Sequence, residues 1–161
     1  PGYLIGENDP DRIDLKESKP TIYFGTEKNT SHAELFASFQ KNLTQQLCQL
    51  SKTNPVYIVQ PIPEVGFNLP QRIIKNIFYN RNEKIFISYD AYVKRNGEIR
   101  TIIQQSAAQC QVKVLDPSLI LCKGKECISE YQGRPIYRDS DHLSEHGNKL
   151  LIPMFKEAFN P

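Results

Sequence analysis

Two long helical patterns are each followed by a short apolar run, and this alternation constrains the fold more than any other feature. Apolar residues recur at helical spacing over residues 33–50, and residues 56–59 then form a β-branched run. A second helical pattern over residues 89–109 precedes a similar run at residues 112–115. Helices that alternate with short buried strands indicate βαβ units and a parallel sheet covered on both faces. The sequence therefore predicts a three-layer α/β/α fold.

Helix-end signals place the boundaries of these elements. Ser31 followed by Glu34 has the pattern of a capping box, which predicts a helix over residues 32–52. Proline at position 70 can open a shorter helix that runs to about residue 79, because proline is tolerated in the first helical turn. A last amphipathic pattern predicts one helix over residues 144–159.

Length and charge restrict the class of protein. The chain has 161 residues, the size of one domain, and we expect a loop-rich lead-in over residues 1–20 and a core over residues 21–161. A net charge of +2 does not indicate a nucleic-acid partner. No apolar run approaches the ~18 residues of a membrane span. Because the chain opens at Pro1 without an initiating methionine or a signal peptide, we expect it to be a fragment whose first segment lies upstream.

Four cysteines can pair in three ways. Cys122 and Cys127 flank a polar spacer with a glycine, which is too long for a Cys-x-x-Cys redox or zinc motif and favours a short disulfide clip. The alternative is a pair of free thiols in a reducing compartment. Cys48 and Cys110 each fall late in a predicted helix and could form a second bridge.

The densest polar cluster is the segment from Tyr137 to Ser144, directly before the last predicted helix. An aspartate three residues before a histidine can fold back onto the imidazole Nδ1, which leaves Nε2 as a general base. Asp139 and His142 are therefore candidate catalytic residues, whereas Asp141 is expected to point elsewhere and cap the last helix. Taken alone, this pattern more often marks a surface turn with a solvated histidine.

Other polar residues offer weaker candidates. His142 and His146 lie one helical turn apart and could form a metal site with Asp139 or Asp141, but no remote third ligand stands out, so we predict no metal and no cofactor. Glu64 follows the first predicted strand in a proline-rich loop and could contact substrate, or the loop could simply be rigid. Asn8, in the segment Gly-Glu-Asn-Asp, could belong to an oxyanion hole or to a polar turn.

Several segments together resemble SGNH hydrolase-like domains, and more narrowly those at the C-terminus of acyltransferase family 3 membrane proteins, which O-acetylate bacterial surface glycans. Residues 133–151 resemble the last block of that family. Residues 56–63 resemble its strand and proline-rich loop, and residues 115–127 resemble its Asp-Pro and paired-cysteine segment. The resemblance covers about residues 20–159. It implies a flavodoxin-like parallel sheet that is incomplete at its N-terminus here.

The resemblance implies that Asp139 and His142 belong to a Ser-His-Asp triad. The family's nucleophile lies in a Gly-Asp-Ser motif, and the 161 residues contain no such triplet. We therefore expect the serine upstream of Pro1, and we expect this fragment alone to be inactive. The implied activity is acyl transfer from an acetylated donor to a glycan such as lipopolysaccharide, or esterase action on it. The implied location is periplasmic, tethered by the membrane acyltransferase domain of the same polypeptide.

A non-catalytic module with the same fold is the alternative function. A glycan-binding or scaffold domain would keep the architecture and dispense with the serine, which the missing Gly-Asp-Ser motif also fits. The residues upstream of Pro1 in the parent gene distinguish the two functions.

Overall fold

A computed structural model of the chain describes residues 31–159 and, before them, Leu4. The described residues pack as two compact units, which comprise residues 31–61 with 96–115 and residues 62–95 with 116–159. Asn8 and the loop-rich lead-in lie outside the described residues. The organisation of residues 1–161 as a single domain stays a prediction.

Helix α1 (His32–Leu50) opens the first unit at the predicted capping box. The Ser31 side chain accepts a hydrogen bond from the Glu34 backbone, and the Glu34 carboxylate accepts one from the Ser31 N–H at 2.9 Å. The helix ends at Leu50, because the chain turns at residues 51–54 before the next strand. The start of this helix is thus predictable from the two residues of the capping box.

A parallel strand pair forms the centre of the first unit. Strand β1 (Tyr57–Val59) pairs with strand β3 (Lys113–Leu115), so that Ile58 lies opposite Val114. The N–H of Gln60 extends the ladder by donating to the Leu115 carbonyl at 2.8 Å. Both strands follow a helix, as the alternation of patterns predicts, and the predicted α/β class is confirmed.

Helix α3 (Tyr89–Gln109) begins in the second unit and ends in the first, where it packs against α1. The Thr44 hydroxyl donates to that of Ser106 at 2.8 Å, and the Cys48–Cys110 disulfide joins the two helix ends. Around these contacts lies an apolar core made of Leu35, Phe36, Leu47, Ile99, Ile102, Ile103, Ala107 and Val112.

The second unit is built from short antiparallel strands that the sequence patterns do not predict. Strand β2 (Phe86–Ser88) pairs with β5 (Glu126–Ile128), which pairs with β4 (Cys122–Lys123). Cys122 and Cys127 lie opposite each other in this hairpin and form the predicted disulfide. A second hairpin joins β6 (Glu130–Tyr131) to β7 (Arg134–Pro135). Strands of two or three residues are too short to show an alternating pattern.

Among the described residues, four helices complete the second unit, and the prediction for the last two is corrected. Helix α2 (Leu69–Phe78) is capped by Asn68, and α4 (Ser118–Leu121) is a single turn. The predicted helix over 144–159 is two helices, α5 (Glu145–Leu150) and α6 (Ile152–Phe159). The break falls at Leu151 because Pro153 has no N–H to continue the helical ladder.

The core of the second unit gathers side chains from several of these elements and from the segments between them. Its buried members are Leu69, Ile87, Leu121, Cys127, Ile136, Tyr137 and Leu151. Among residues 31–159, the helices are either too short or too polar to cross a membrane.

Candidate active site

The turn before α5 brings Asp139 and His142 together. The two carboxylate oxygens of Asp139 lie 3.0 and 3.1 Å from the Nδ1 atom of His142. The His142 side chain is 58% exposed and that of Asp139 is 34% exposed, so the pair is reachable from solvent. With Nδ1 held by the carboxylate, Nε2 is the ring nitrogen that can exchange a proton with a ligand.

Local hydrogen bonds shape this turn. One oxygen of Asp139 accepts from the backbone N–H of His142 at 2.8 Å and from that of Asp141 at 3.1 Å. The Arg138 N–H donates to the His142 carbonyl at 3.0 Å, which closes the loop at its base. An aspartate that caps its own turn in this way is common, because its short side chain reaches backbone groups two and three residues ahead. The same carboxylate therefore builds the turn and contacts the imidazole.

The charge state of Asp139 follows from these contacts. Partial burial opposes ionisation, but the hydrogen bonds from the Asp141 and His142 backbone and from the His142 ring outweigh it, and the pKa of Asp139 is lowered. A carboxylate that stays ionised beside an imidazole stabilises the protonated ring.

Asp141 requires a correction. The prediction that it points away from the ring and caps the last helix is wrong, because its carboxylate lies 3.3 Å from Nδ1 of His142. Ser144 is the cap of α5, where its hydroxyl accepts from the Gly147 N–H at 3.1 Å. Because Ser144 directly precedes the helix, its short side chain reaches the first free N–H groups, and Asp141 stays within the turn.

Asp139, Asp141 and His142 are also the described residues that could hold a cation, since one ligand atom from each lies within 4.8 Å of the others. His146, the other histidine considered as a metal ligand, is not part of this group. Its Nε2 atom lies 2.9 Å from the Tyr131 carbonyl. The possible ligand atoms are one imidazole nitrogen and the oxygens of two carboxylates. A proton on Nδ1 that is shared with these carboxylates is sufficient to explain why the three groups lie together.

Hydrogen bonds join the proline-rich loop after β1 to the turn that holds Asp139 and His142. The N–H groups of Val65 and Gly66 donate to the Ser140 carbonyl at 2.9 and 3.2 Å. The hydroxyl of Tyr137, whose side chain is fully buried, donates to the Pro63 carbonyl at 2.6 Å. Burial, with smaller effects from Glu64 and Tyr92, raises the pKa of Tyr137 well above its ordinary value, so the hydroxyl remains a donor.

Glu64 lies in the same loop but is directed at Arg95. Its carboxylate pairs with the Arg95 guanidinium, and the Glu64 side chain is only 7% exposed. The ion pair of Glu64 with Arg95 thus helps to hold the loop in place. Contact between Glu64 and substrate stays a prediction. The role of Asn8 also stays a prediction.

Two concave regions of the second unit differ in their relation to the turn. A groove of about 510 Å³ borders it and is lined by Arg138, Leu143, Ser144, Glu145, Asn148, Lys149 and Ile152. A groove of about 760 Å³ lies between α2 and the antiparallel sheet and contains neither Asp139 nor His142. The smaller groove is not lined by Asp139 or His142 either, but it includes their neighbours in the chain, Arg138 and Leu143.

Sequence reasoning missed Tyr137 and Asp141 as members of the site. Asp141 carried a visible signal, since it adjoins His142, but adjacent side chains do not show from sequence whether they point the same way. For Tyr137 the signal was absent, because its partner Pro63 lies 74 residues away.

An α/β fold with an Asp-His pair in the turn before a late helix fits a hydrolase-like domain of the SGNH class, and a family model shows this class. The model of the SGNH domain that is fused to AT3 domains matches residues 3–157. The chain belongs to this family, as its last block predicts, and the match begins earlier than the segments that carry the resemblance. Among curated proteins and solved structures, none matches the chain.

Family membership supports an SGNH hydrolase-like function associated with acyltransferases. The two disulfides, Cys48–Cys110 and Cys122–Cys127, are typical of proteins that fold in an oxidising compartment outside the cytoplasm.

Proposed function

We propose that this chain is an acyl-transfer domain in which Asp139 and His142 supply two members of a Ser-His-Asp triad. The observation that carries the proposal is the contact of both Asp139 oxygens with Nδ1 of His142, at 3.0 and 3.1 Å, in a chain of the SGNH family. A carboxylate on Nδ1 selects the tautomer whose Nε2 accepts a proton.

The chemistry takes place in two half-reactions. In the first, the serine hydroxyl attacks the acyl carbonyl of the donor while Nε2 of His142 takes its proton, and the imidazolium then protonates the leaving group. In the second, His142 removes the proton of a sugar hydroxyl, or of water in an esterase, the resulting oxygen displaces the serine from the acyl-enzyme, and the imidazolium returns the proton to the serine oxygen. Asp139 stays ionised throughout, which its lowered pKa supports.

The serine is proposed to come from a segment upstream of Pro1. The 161 residues contain no Gly-Asp-Ser triplet, and neither Ser140 nor Ser144 has the contacts of a nucleophile. Ser140 donates to Asp141 at 3.0 Å, and Ser144 donates to the Pro135 carbonyl at 3.1 Å while capping α5.

The fusion of this family to AT3 domains and the two disulfides support the proposed cellular location and partners. A membrane acyltransferase domain of the same polypeptide would provide acetyl groups, and the acceptor would be a surface glycan in the periplasm. The proposed reaction needs no cofactor, since the triad supplies both the nucleophile and the base.

The test uses the full-length protein that carries this chain. We expect a serine-directed fluorophosphonate to label one serine upstream of Pro1 and to abolish hydrolysis of a chromogenic acetyl ester. His142→Ala should lower turnover about as much as replacing that serine, because the two act as one unit. His146→Ala is the matched control and should leave turnover unchanged, since His146 contacts the Tyr131 carbonyl.

A labelled serine within the 161 residues would contradict the position of the nucleophile. Turnover that survives His142→Ala would contradict the triad itself.

One observation favours a second function, a non-catalytic glycan-binding or scaffold module. The family match spans residues 3–157, yet the sequence has no Gly-Asp-Ser triplet. Full-length protein that binds glycan but neither reacts with fluorophosphonate nor hydrolyses acetyl esters would establish this second function in place of the first.

A further inference from the structure

Helix α2 (Leu69–Phe78) exposes a stripe of large apolar side chains. Ile74, Ile77 and Phe78 are 64, 74 and 79% exposed, and Tyr79 directly after the helix is 61% exposed. Positions 74, 77 and 78 have the i, i+3, i+4 spacing of one helix face. Contiguous apolar side chains on the surface mark an interaction site far more often than scattered single residues do.

The core of the second unit does not need this stripe, because α2 has a separate inner face. Leu69 is fully buried, Ile73 packs against the core, and buried Asn76 donates to the Glu83 carbonyl at 3.3 Å. The helix is therefore held by one face while the outer apolar face is left to solvent in this chain.

Positive charge surrounds the stripe. Residues 69–86 hold four basic residues and one acidic residue, a net charge of +3 in a chain whose total is only +2. Glu83 lies 3.5 Å from Arg72, and Glu126 from the neighbouring strand pairs with Lys84, which leaves an excess of two positive charges. This excess is carried by Lys75 and by Arg81.

The cations also lie over aromatic rings. The Arg81 guanidinium is 5.3 Å from the centre of the Tyr79 ring, and the Lys84 ammonium is 5.5 Å from that of Phe86. Phe86 is itself 45% exposed. Apolar, aromatic and basic side chains are thus mixed on one surface, which we call the α2 face: Ile74, Lys75, Ile77, Phe78, Tyr79, Arg81, Lys84 and Phe86.

We propose that the α2 face docks on an anionic lipid bilayer. Helices that lie in the membrane interface insert Phe, Ile and similar side chains into the boundary of the acyl chains, while Lys and Arg reach the phosphates. Tyrosine at the edge of such a helix suits the headgroup level, where its ring is half in water. A bilayer also requires no complementary groove on its partner, and it accepts side chains that stand free on a helix surface.

The affinity of this face alone is expected to be modest. A helix of ten residues inserts few side chains, and stable membrane binding usually takes a second signal. The membrane domain of the proposed function would be that second signal, since a tether raises the effective concentration of the bilayer. Only this last step rests on the proposed function.

The test measures co-sedimentation of the 161-residue chain with phosphatidylcholine vesicles that contain or lack phosphatidylglycerol. We expect binding to the anionic vesicles that weakens as salt is raised. Phe78→Ser should lower the partition coefficient about tenfold, since it removes a large apolar surface that the bilayer would bury. Phe159→Ser is the matched control, because Phe159 is also 79% exposed, and it should change nothing.

A second pair of variants tests the charge. Replacing Lys75 and Arg81 by glutamine should lower binding to anionic vesicles by about fivefold for each residue. The same change at Lys149 and Lys156, which lie outside the α2 face, should have a small effect. Near-ultraviolet circular dichroism verifies that each variant is folded.

Absence of binding to both kinds of vesicle overturns the proposal. So does binding that Phe78→Ser leaves intact. If Phe78→Ser instead weakens a contact with the membrane domain in the full-length protein and vesicle binding is absent, the face is a protein interface. The vesicle assay measures no turnover, so its failure and a failure of acyl transfer are separate results.

Discussion

Each of the two units of the chain is stabilised internally by different features. In the first unit, long helices and a parallel strand pair bury an apolar core, and the Cys48–Cys110 disulfide joins residues 62 positions apart. In the second, strands of two or three residues are joined by hairpins, a five-residue disulfide clip and hydrogen bonds between loops. The Asp-His pair lies in the second unit. Regular packing provides stability, whereas irregular loops place single side chains where chemistry needs them.

The largest expected effect is a loss of turnover from a substitution that should leave the second unit folded. Asp139→Asn keeps an oxygen that can accept from the backbone of the turn, so the fold should survive, but the imidazole loses its charged partner. Turnover of the full-length protein should fall by about 10⁴-fold.

Asp116→Asn is the matched control for this change. Asp116 also caps its own turn, by accepting from the Ser118 N–H at 2.9 Å and from the Ser118 hydroxyl at 2.6 Å. Equal losses of turnover in the two variants would show that the turn matters only for folding.

The lowered pKa of Asp139 also predicts a pH dependence of stability. Ionised Asp139 is stabilised in the folded chain, so its contribution is fully present above the unfolded pKa and is lost as pH falls through the lower, folded one. The stability difference between the chain and Asp139→Asn should therefore shrink between about pH 5 and pH 2. Denaturant unfolding over that range measures it, and a difference that grows in acid would contradict the direction of the shift.

The disulfides should contribute unequally to the two units. Replacing Cys48 and Cys110 by alanine opens a loop of 62 residues and should cost about 4 kcal/mol in the free energy of unfolding. The same change at Cys122 and Cys127 opens a loop of 5 and should cost about 2 kcal/mol. Denaturant unfolding of both variants gives the comparison, and a larger loss from the short clip would reverse it.

Tyr137→Phe tests the link between the proline-rich loop and the turn. It removes the donor to the Pro63 carbonyl without creating a large cavity, and should cost about 1–3 kcal/mol because a buried acceptor loses its partner. Tyr131→Phe, at an exposed tyrosine, is the control and should leave stability unchanged. Unchanged stability in Tyr137→Phe would mean that the loop is held by other contacts.

Asp141→Asn should have the smallest effect on turnover. Its carboxylate lies 3.3 Å from Nδ1, but Asp139 contacts the same nitrogen more closely and with both oxygens. We expect a loss of at most about tenfold, and no loss of helix capping, since Ser144 caps α5. A loss larger than that of Asp139→Asn would exchange the roles of the two carboxylates.

Features that depend on a few neighbouring residues were predictable. The capping box at Ser31 and the fold-back of Asp139 onto His142 each join groups three residues apart, and the two strands that follow long helices are short local apolar runs. The disulfide between Cys122 and Cys127 belongs to the same group, because only a four-residue spacer separates them. In all these cases, the geometry of the chain leaves few alternatives.

The break between α5 and α6 also has a local cause, Pro153. The prediction of one long helix rests instead on the apolar periodicity, which continues across the break. Periodicity reports which face is buried and does not report whether the hydrogen-bond ladder is continuous. Leu150, Met154 and Phe155 pack against the core from both sides of the interruption at Leu151, whereas Ile152 and Phe159 are exposed.

By itself, the sequence determined the α/β class, the family and the turn in which Asp139 meets His142, because helical periodicity and i, i+3 contacts are properties of short segments. Only the tertiary structure decided that the proline-rich loop supports this turn, through Pro63, Val65 and Gly66. The loop and the turn lie more than 70 residues apart, as the 74-residue span between Pro63 and Tyr137 shows. Such contacts depend on how the whole chain closes into its core, and no short segment encodes them.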